Sequence, residues 1–439
     1  MVHVCAHRGA ILYFVTDPGE GDDPAAHVYH EDGLLVIDSG HVAAVGPAAM
    51  LLPQLSPAVR LTEHADALIM PGFVDAHIHF PQTDMIASGG RDLLDWLARY
   101  TYPAERRFGD PGYARAVADF FINELLANGT TTAQVLGSVH ATSVDAVFAA
   151  AVALNLRLIA GKALMDRHCP ADLCDTAASG ERDTRALIER WHNRDRLRYA
   201  ITPRFAPTST EAQLASAGRL AAEFPDVHVH SHLAENLAEV AWTRELFPWS
   251  RSYTDVYDHY GLLRPRAVYA HGIHLSDQDR QRLAETGTWI AHAPSSNLYL
   301  GSGLFDFAAS DAAQLRYAIS TDVGAGTSFS LLRTLGDAYK VAQLQGQRLS
   351  PLRAFYLATL AGARALDMDH CIGTFRPGAE ADFIVLDLAA TPLIARRCAQ
   401  AATLAERLQI LMTLGDDRCI RLTHVLGRPV AGTAHRARS

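Results

Sequence analysis

The chain has 439 residues, of which 49% are hydrophobic and 20% charged, and it carries a formal net charge of −9. This length exceeds the needs of one simple core and fits a barrel with a small additional domain, while the negative charge argues against a nucleic acid or an anionic membrane surface as a partner. Six cysteines without a Cys-x-x-Cys spacing, together with an N-terminus that lacks a signal peptide, predict a cytoplasmic protein with reduced thiols.

The first 68 residues are predicted to form strands of a small β domain. Apolar, strand-like runs lie at 10–15, 33–38 and 41–46. Glycine and aspartate separate these runs, as hairpins require. We therefore assign residues 1–68 to the N-terminal part of this domain.

From residue 69 to 373 strand-like and helix-like segments alternate, which is typical of a parallel (β/α)8 barrel. An amphipathic helix over 115–127 is stopped by Asn128 and Gly129, and a strand over 130–136 follows it. The same rhythm continues along this part of the chain, so we assign it to a barrel domain.

The strand-like segment at 68–79 is informative because it ends in His77-x-His79. Alternate side chains of a strand share a face, so the two imidazoles point the same way. Two imidazoles at this spacing, at the end of a strand, can hold one metal ion.

Three later strand-like runs also end in a potential ligand. They end at His232, His271 and Asp322, and Glu235 follows the first of these by three residues. In a (β/α)8 barrel the C-terminal ends of the strands converge on one mouth, so these side chains should meet there. Three histidines and one aspartate with an open position suit a catalytic zinc ion.

After residue 373 the chain returns to strands. A turn and a strand occupy 373–387, and a hairpin occupies 420–431. Strands at both ends of a barrel suggest one small β domain assembled from the two termini. The predicted fold is therefore α/β: a distorted (β/α)8 TIM barrel over 69–373, with a small β-sandwich domain built from 1–68 and 374–439.

Several motifs, in order along nearly the whole chain, resemble those of the guanine deaminases of the amidohydrolase superfamily. They are Pro-Gly-Phe-Val-Asp-Ala-His-Ile-His at 71–79, Phe-Pro-Gln at 80–82, Leu-Leu-Asp-Trp-Leu-Ala-Arg-Tyr-Thr-Tyr-Pro-Ala-Glu-Arg-Arg-Phe at 93–108, Ile-Thr-Pro-Arg-Phe at 201–205, Ser-His-Leu-Ala-Glu-Asn at 231–236 and Leu-Gly-Asp-Asp-Arg at 414–418. The first motif is a signal of the superfamily, and the others are more specific to the family.

The resemblance implies one zinc ion per chain and a role for each site residue. The metal ligands would be His77, His79, His232 and Asp322. Catalysis would fall to Glu235 as the proton shuttle, to Asp322 as a base and to His271 as a hydrogen-bond partner of the reacting water. The purine would contact Gln82, Arg204, Phe205, His232, Glu235 and Asp322. The implied reaction converts guanine and water to xanthine and ammonia in purine catabolism, and the implied assembly is a homodimer.

Other interpretations stay open from the residues. His228 and His230 share a strand face with His232 and are its rivals as a ligand. Lys162 is a candidate carbamylated lysine between two metal ions. Trp96, Tyr100 and Tyr102 are expected to pack a lid helix rather than to form a binding site. The protein could instead deaminate a related heterocycle, such as 8-oxoguanine, a pterin or a triazine, or be a non-catalytic scaffold.

Overall fold

The computed structural model of the chain describes residues 4–90 and 92–430. Its strands are β1 Val4–Phe14, β2 His27–Asp38, β3 His41–Pro47, β4 Arg60–Pro71, β5 Phe73–His79, β6 Thr130–Leu136, β7 Arg157–Gly161, β8 Ala163–Leu164, β9 Leu197–Pro203, β10 His228–Leu233, β11 Ala267–His271, β12 Trp289–His292, β13 Arg316–Ile319, β14 Phe383–Asp387, β15 Ile420–Val425 and β16 Arg428–Pro429.

The α-helices lie mostly between the barrel strands. They are α1 Ala48–Leu51, α2 Leu93–Trp96, α3 Tyr102–Glu105, α4 Pro111–Ala127, α5 Ala141–Ala153, α6 Ala177–Trp191, α7 Glu211–Glu223, α8 Leu237–Leu246, α9 Tyr253–His259, α10 Asp277–Thr286, α11 Pro294–Tyr299, α12 Phe307–Ala312, α13 Leu331–Leu344, α14 Pro351–Leu357, α15 Leu360–Ala365, α16 Pro392–Cys398 and α17 Leu404–Leu414. Within the described ranges, none of them is both long and apolar enough to span a bilayer.

Eight parallel strands form the predicted barrel. The order is β5, β6, β7, β9, β10, β11, β12, β13, and the short β8 pairs with β9. Backbone hydrogen bonds join the segment after β13 to β5: Asp322 N–H donates to the His77 carbonyl at 3.0 Å, and His79 N–H donates to the Val323 carbonyl at 2.9 Å. These bonds bring the last strand of the barrel to the first, so the prediction of an α/β barrel is confirmed.

Strands from both termini form one mixed seven-stranded sheet, as the sequence predicted. The order is β16, β15, β14, β4, β1, β2, β3, with β1 and β4 parallel. Strand β4 remains in this sheet to Pro71, and β5 starts the barrel at Phe73. The two sheets meet at Gly72, where an added Cβ would lie 2.1 Å from Thr131 Oγ1. Only glycine allows this approach, which gives the Pro-Gly of the first motif a physical reason.

Helix α4 shows how local sequence sets the barrel elements. Asp110 caps its start by accepting a hydrogen bond from Gly112 N–H at 2.7 Å, and Pro111 is its first residue. It ends before Gly129, whose φ of +79° is the left-handed conformation that favours glycine. The predicted helix over 115–127 is therefore present and begins four residues earlier, at the capped proline.

A buried ionic network joins the N-terminal ends of two barrel strands to the terminal sheet. Arg196, just before β9, contacts Asp382 and lies 2.5 Å from Glu380. Arg157, at the start of β7, also pairs with Glu380 at 2.5 Å. Two carboxylates thus compensate two guanidinium groups at the end of the barrel opposite the mouth.

We expect Asp382→Asn to lower the free energy of unfolding by about 3 kcal/mol, because one buried carboxylate would then remain for two arginines. The amide keeps an oxygen that can accept the hydrogen bond from Leu426 N–H. Urea unfolding followed by circular dichroism measures this change. An unfolding midpoint equal to that of the wild type would contradict a contribution of the network to stability.

Candidate active site

Four of the predicted ligands meet at the mouth of the barrel. Strand β5 supplies His77 and His79, β10 supplies His232, and Asp322 follows β13. One ligand atom from each of the four lies within 4.8 Å of the others. Asp322 Oδ1 is 3.0 Å from His77 Nε2 and 3.4 Å from His79 Nε2, and the Nε2 atoms of His79 and His232 are 3.0 Å apart. Three imidazole nitrogens and one carboxylate oxygen at these separations fit one divalent metal ion.

Neighbouring groups orient two of the histidines toward this centre. His77 Nδ1 is 2.6 Å from His230 Nε2, and His232 Nδ1 donates to the Arg204 carbonyl at 2.7 Å. In each imidazole the other nitrogen, Nε2, is therefore directed at the common centre, which is the usual arrangement around a bound metal. His230, a rival ligand in the sequence, contacts His77 instead, and His228 bonds to the Leu366 carbonyl.

A buried carboxylate that the sequence analysis missed holds the segment bearing Asp322. Asp75 accepts hydrogen bonds from the Thr321 N–H at 3.0 Å and from its hydroxyl at 2.5 Å. Asp322 itself lies beyond the end of β13 with a φ of +52°, rather than as the last residue of a strand. The alternation of β5 could have indicated this role, because Asp75 shares the face of His77 and His79.

Glu235 and His271 stand beside the metal group without belonging to it. His271 Nε2 lies 3.4 Å from Glu235 Oε2 and 3.8 Å from Asp322 Oδ2. Asn297 Oδ1 accepts a hydrogen bond from His271 Nδ1 at 2.9 Å, and Ser302 donates to Glu235 Oε1 at 3.0 Å. Both carboxylates therefore face the same imidazole nitrogen across a short distance.

The electrostatic environment separates the protonation behaviour of these three groups. Burial raises the pKa of Glu235 to about 7, and the nearby His271 only partly opposes this. Burial also raises the pKa of Asp322, but His77 and its hydrogen bond outweigh that effect, so the pKa is lowered. Burial lowers the pKa of His271, but the carboxylates of Glu235 and Asp322 outweigh it, so that pKa is raised. A carboxyl that exchanges its proton near neutral pH thus stands beside one that stays ionised.

The remaining predicted residues line the same cavity as the metal group. Its walls are His79, Gln82, Leu93, Trp96, Leu97, Arg204, Phe205, His232, Glu235, Glu239, His271, Leu300, Asp322 and Ala325. Arg204 and Gln82 are both buried here, and Phe205 packs with an apolar cluster that includes Leu93 and Trp96. Trp96 packs in this cluster with Tyr100 and Tyr102, as expected, and it also faces the cavity.

The structure gives Lys162 a partner other than a metal. Its ammonium group is buried and lies 2.5 Å from Asp175 Oδ2. It also donates to the Ala163 carbonyl at 3.3 Å. The side chain is therefore held in a buried ion pair, and the geometry favours a single metal centre.

The cavity also depends on residues that the sequence analysis did not assign. Glu105 is fully buried and lies 2.7 Å from Arg204 Nη1, while Asn297 and Ser302 hold the two groups beside the metal centre. No spacing in the sequence links these residues to their partners. Glu105 does lie within the motif at 93–108, which was the available signal.

Comparisons with known proteins agree with this geometry. Residues 68–430 match the Amidohydrolase family. Guanine deaminase of Escherichia coli (strain K12) is 51% identical over 400 residues, which are 91% of each chain. The structure of E. coli guanine deaminase superposes with a TM-score of 0.95 at 49% identity, covering 97% of this chain and 99% of that one. Guanine deaminase from C. acetobutylicum, with bound guanine in the active site, gives a TM-score of 0.87 at 26% identity, covering 97% and 100%.

Proposed function

The chain belongs to the guanine deaminases of the amidohydrolase family, and we propose that it hydrolyses guanine to xanthine and ammonia with one zinc ion per chain. The observation that carries this proposal is a single cavity lined by two chemically distinct sets of residues. His79, His232 and Asp322 of the metal group line it together with Glu235, and Arg204 and Gln82 line it as well. The first set suits the attack of water, and the second suits recognition of a purine edge.

We assign the metal to His77, His79, His232 and Asp322. Imidazole nitrogens with one carboxylate oxygen are donors that zinc accepts readily. When bound, zinc would lower the pKa of a water molecule toward about 7 and so supply a nucleophile at neutral pH. The donor set and the orientation of the imidazoles support this assignment.

We assign the proton transfers to the two carboxylates that face His271. The oxygen of water replaces the exocyclic amine of guanine, so protons must leave the water and reach a ring nitrogen and then the amine. Asp322, whose pKa is lowered, serves as a base. Glu235, whose pKa is raised to about 7, delivers one proton of the water to the ring nitrogen and then the second, taken up by Asp322, to the amine, which leaves as ammonia when its C–N bond breaks. His271 hydrogen-bonds the reacting water between them.

We assign recognition of the base to Arg204, Gln82 and Phe205. Guanine has a carbonyl oxygen at the six-position, and a guanidinium group can only donate hydrogen bonds. Arg204 therefore suits that oxygen, Gln82 suits another edge of the ring, and Phe205 suits its face. Electron density moves toward the carbonyl oxygen as water attacks, so Arg204 should bind the transition state more strongly than the substrate.

Arg204→Ala should lower kcat and raise KM for guanine, and it should erode the preference for guanine over 2-aminopurine, which lacks the oxygen. Arg204→Lys should recover only part of the loss, because the lysine ammonium lacks the planar set of N–H donors of a guanidinium group. Steady-state kinetics with both substrates measures the ratio of kcat/KM. An unchanged ratio in Arg204→Ala would mean that this side chain does not contact the oxygen.

A substrate panel tests the proposed function against the nearest alternatives. Guanine, 8-oxoguanine, a pterin and an aminotriazine should be compared by release of ammonia. We expect guanine to have the highest kcat/KM, and a higher value for any other compound would contradict the proposal. The homodimer and the cytoplasmic location remain predictions from the resemblance and from the thiols, and sedimentation velocity tests the first.

A further inference from the structure

Glu105 contacts both polar residues on the purine side of the cavity. Its two carboxylate oxygens lie 2.8 and 2.7 Å from Arg204 Nη1, and its Oε1 accepts a hydrogen bond from Gln82 Nε2 at 3.4 Å. All three side chains are buried. Glu105 does not line the cavity itself, so it acts on a bound base only through these two residues.

The ion pair with Glu105 determines which N–H groups of Arg204 remain available to a ligand in the cavity. Both contacts use the single nitrogen Nη1, which leaves the other N–H groups of the guanidinium for a ligand. Tyr102, three residues before Glu105 on helix α3, places its ring 5.8 Å from the guanidinium carbon. Residues three apart share one face of a helix, so α3 holds Arg204 from a single side.

Glu105 also fixes the orientation of the Gln82 amide. While Nε2 of Gln82 donates to Glu105, its Oε1 accepts a hydrogen bond from Gly324 N–H at 3.1 Å. The reversed amide would place its oxygen against a carboxylate and its NH2 group against an N–H donor. The carboxylate thus selects one of the two orientations of this side chain.

The charge of Glu105 matters as much as its position. Guanine is neutral, and the Arg204–Glu105 pair adds no net charge beside the cavity. Without the carboxylate, a buried guanidinium would be left uncompensated, and a cavity of this kind would favour an anion.

We propose that Glu105 is a positioning residue that sets the substrate preference of the enzyme. It directs the guanidinium group of Arg204, orients the Gln82 amide and neutralises the charge of Arg204. The cavity therefore prefers a neutral base with a carbonyl oxygen over a base without that oxygen and over an anion. This inference rests on the proposed deamination of guanine and names a residue that determines its specificity.

Glu105→Gln tests the proposal. The amide has one acceptor and adds a donor beside the donors of Arg204 and Gln82, so the kcat/KM ratio of guanine to 2-aminopurine should fall by about tenfold or more. The same change should strengthen inhibition by xanthine in mildly alkaline solution, where xanthine is an anion. In an Arg204→Ala background, Glu105→Gln should change the ratio no further, because only Arg204 contacts the carbonyl oxygen and the ring edge that Gln82 contacts is present in both substrates.

Two further variants separate specificity from folding. Glu105→Asp keeps the charge and shortens the side chain, so it should reduce the substrate ratio while leaving inhibition by the xanthine anion as in the wild type. Asp382→Asn also removes a carboxylate from a buried arginine, but at the opposite end of the barrel, so it should leave the ratio unchanged.

The outcomes distinguish this inference from the proposed function. A wild-type enzyme that deaminates guanine, together with a Glu105→Gln variant that keeps the wild-type ratio and xanthine inhibition, overturns only the role of Glu105. A metal-loaded wild-type protein that leaves guanine unchanged overturns the proposed function itself.

Discussion

Glu235→Gln should lower kcat for guanine by at least about 100-fold while the bound metal stays at the wild-type level. The amide keeps the shape of the side chain and can still accept the hydrogen bond from Ser302 at Oε1. It cannot take up a proton, so neither the ring nitrogen nor the departing amine would receive one from this position. Stopped-flow or steady-state assays of xanthine formation, with metal analysis of the same sample, measure both quantities.

Glu406→Gln is the matched control, because this exposed residue caps helix α17 and does not line the cavity. It should have wild-type kcat and metal content. Loss of metal in Glu235→Gln would mean that Glu235 is a ligand, and wild-type kcat would exclude it as the proton shuttle.

His79→Ala should abolish both the bound metal and the turnover of guanine. The imidazole Nε2 lies 3.0 Å from His232 Nε2 and 3.4 Å from Asp322 Oδ1, so its removal takes one of four donors from the centre. The variant would also leave the buried carboxylate of Asp322 without its contact to the His79 imidazole. Elemental analysis of the purified variant, beside the wild type at one metal per chain, measures the effect.

His228→Asn serves as the comparison, since His228 lies on the same strand as His232 but bonds to a backbone carbonyl. It should retain one metal ion per chain. Two metal ions in the wild type would contradict the single centre, as would full occupancy in His79→Ala.

The positions of the four proposed ligands could be predicted because two structural regularities relate sequence to position. A strand places alternate residues on one face, which paired His77 with His79, and a parallel barrel gathers the C-terminal ends of its strands, which added His232 and Asp322. The strands of the terminal sheet followed from the same alternation. Their order did not, because β1 lies between β2 and β4 through one antiparallel and one parallel pairing.

The part of the cavity around Arg204 could be predicted only partly from the sequence. Arg204 directly follows β9 and therefore faces the mouth, but its partner Glu105 comes from a short helix in the connection between β5 and β6. The path of that connection depends on packing around Trp96 and Leu97 rather than on any periodicity. Asp75 and Asn297 were missed for a related reason, since each acts on a partner distant in sequence through a hydrogen bond.

The central claim is that this cavity deaminates guanine, and the most direct test is product analysis with purified, zinc-loaded protein. Guanine should be consumed with equal molar amounts of xanthine and ammonia formed, and removal of the metal by a chelator should stop the reaction until zinc is restored. Zinc-loaded protein that binds one metal ion per chain yet forms no xanthine from guanine would contradict the account.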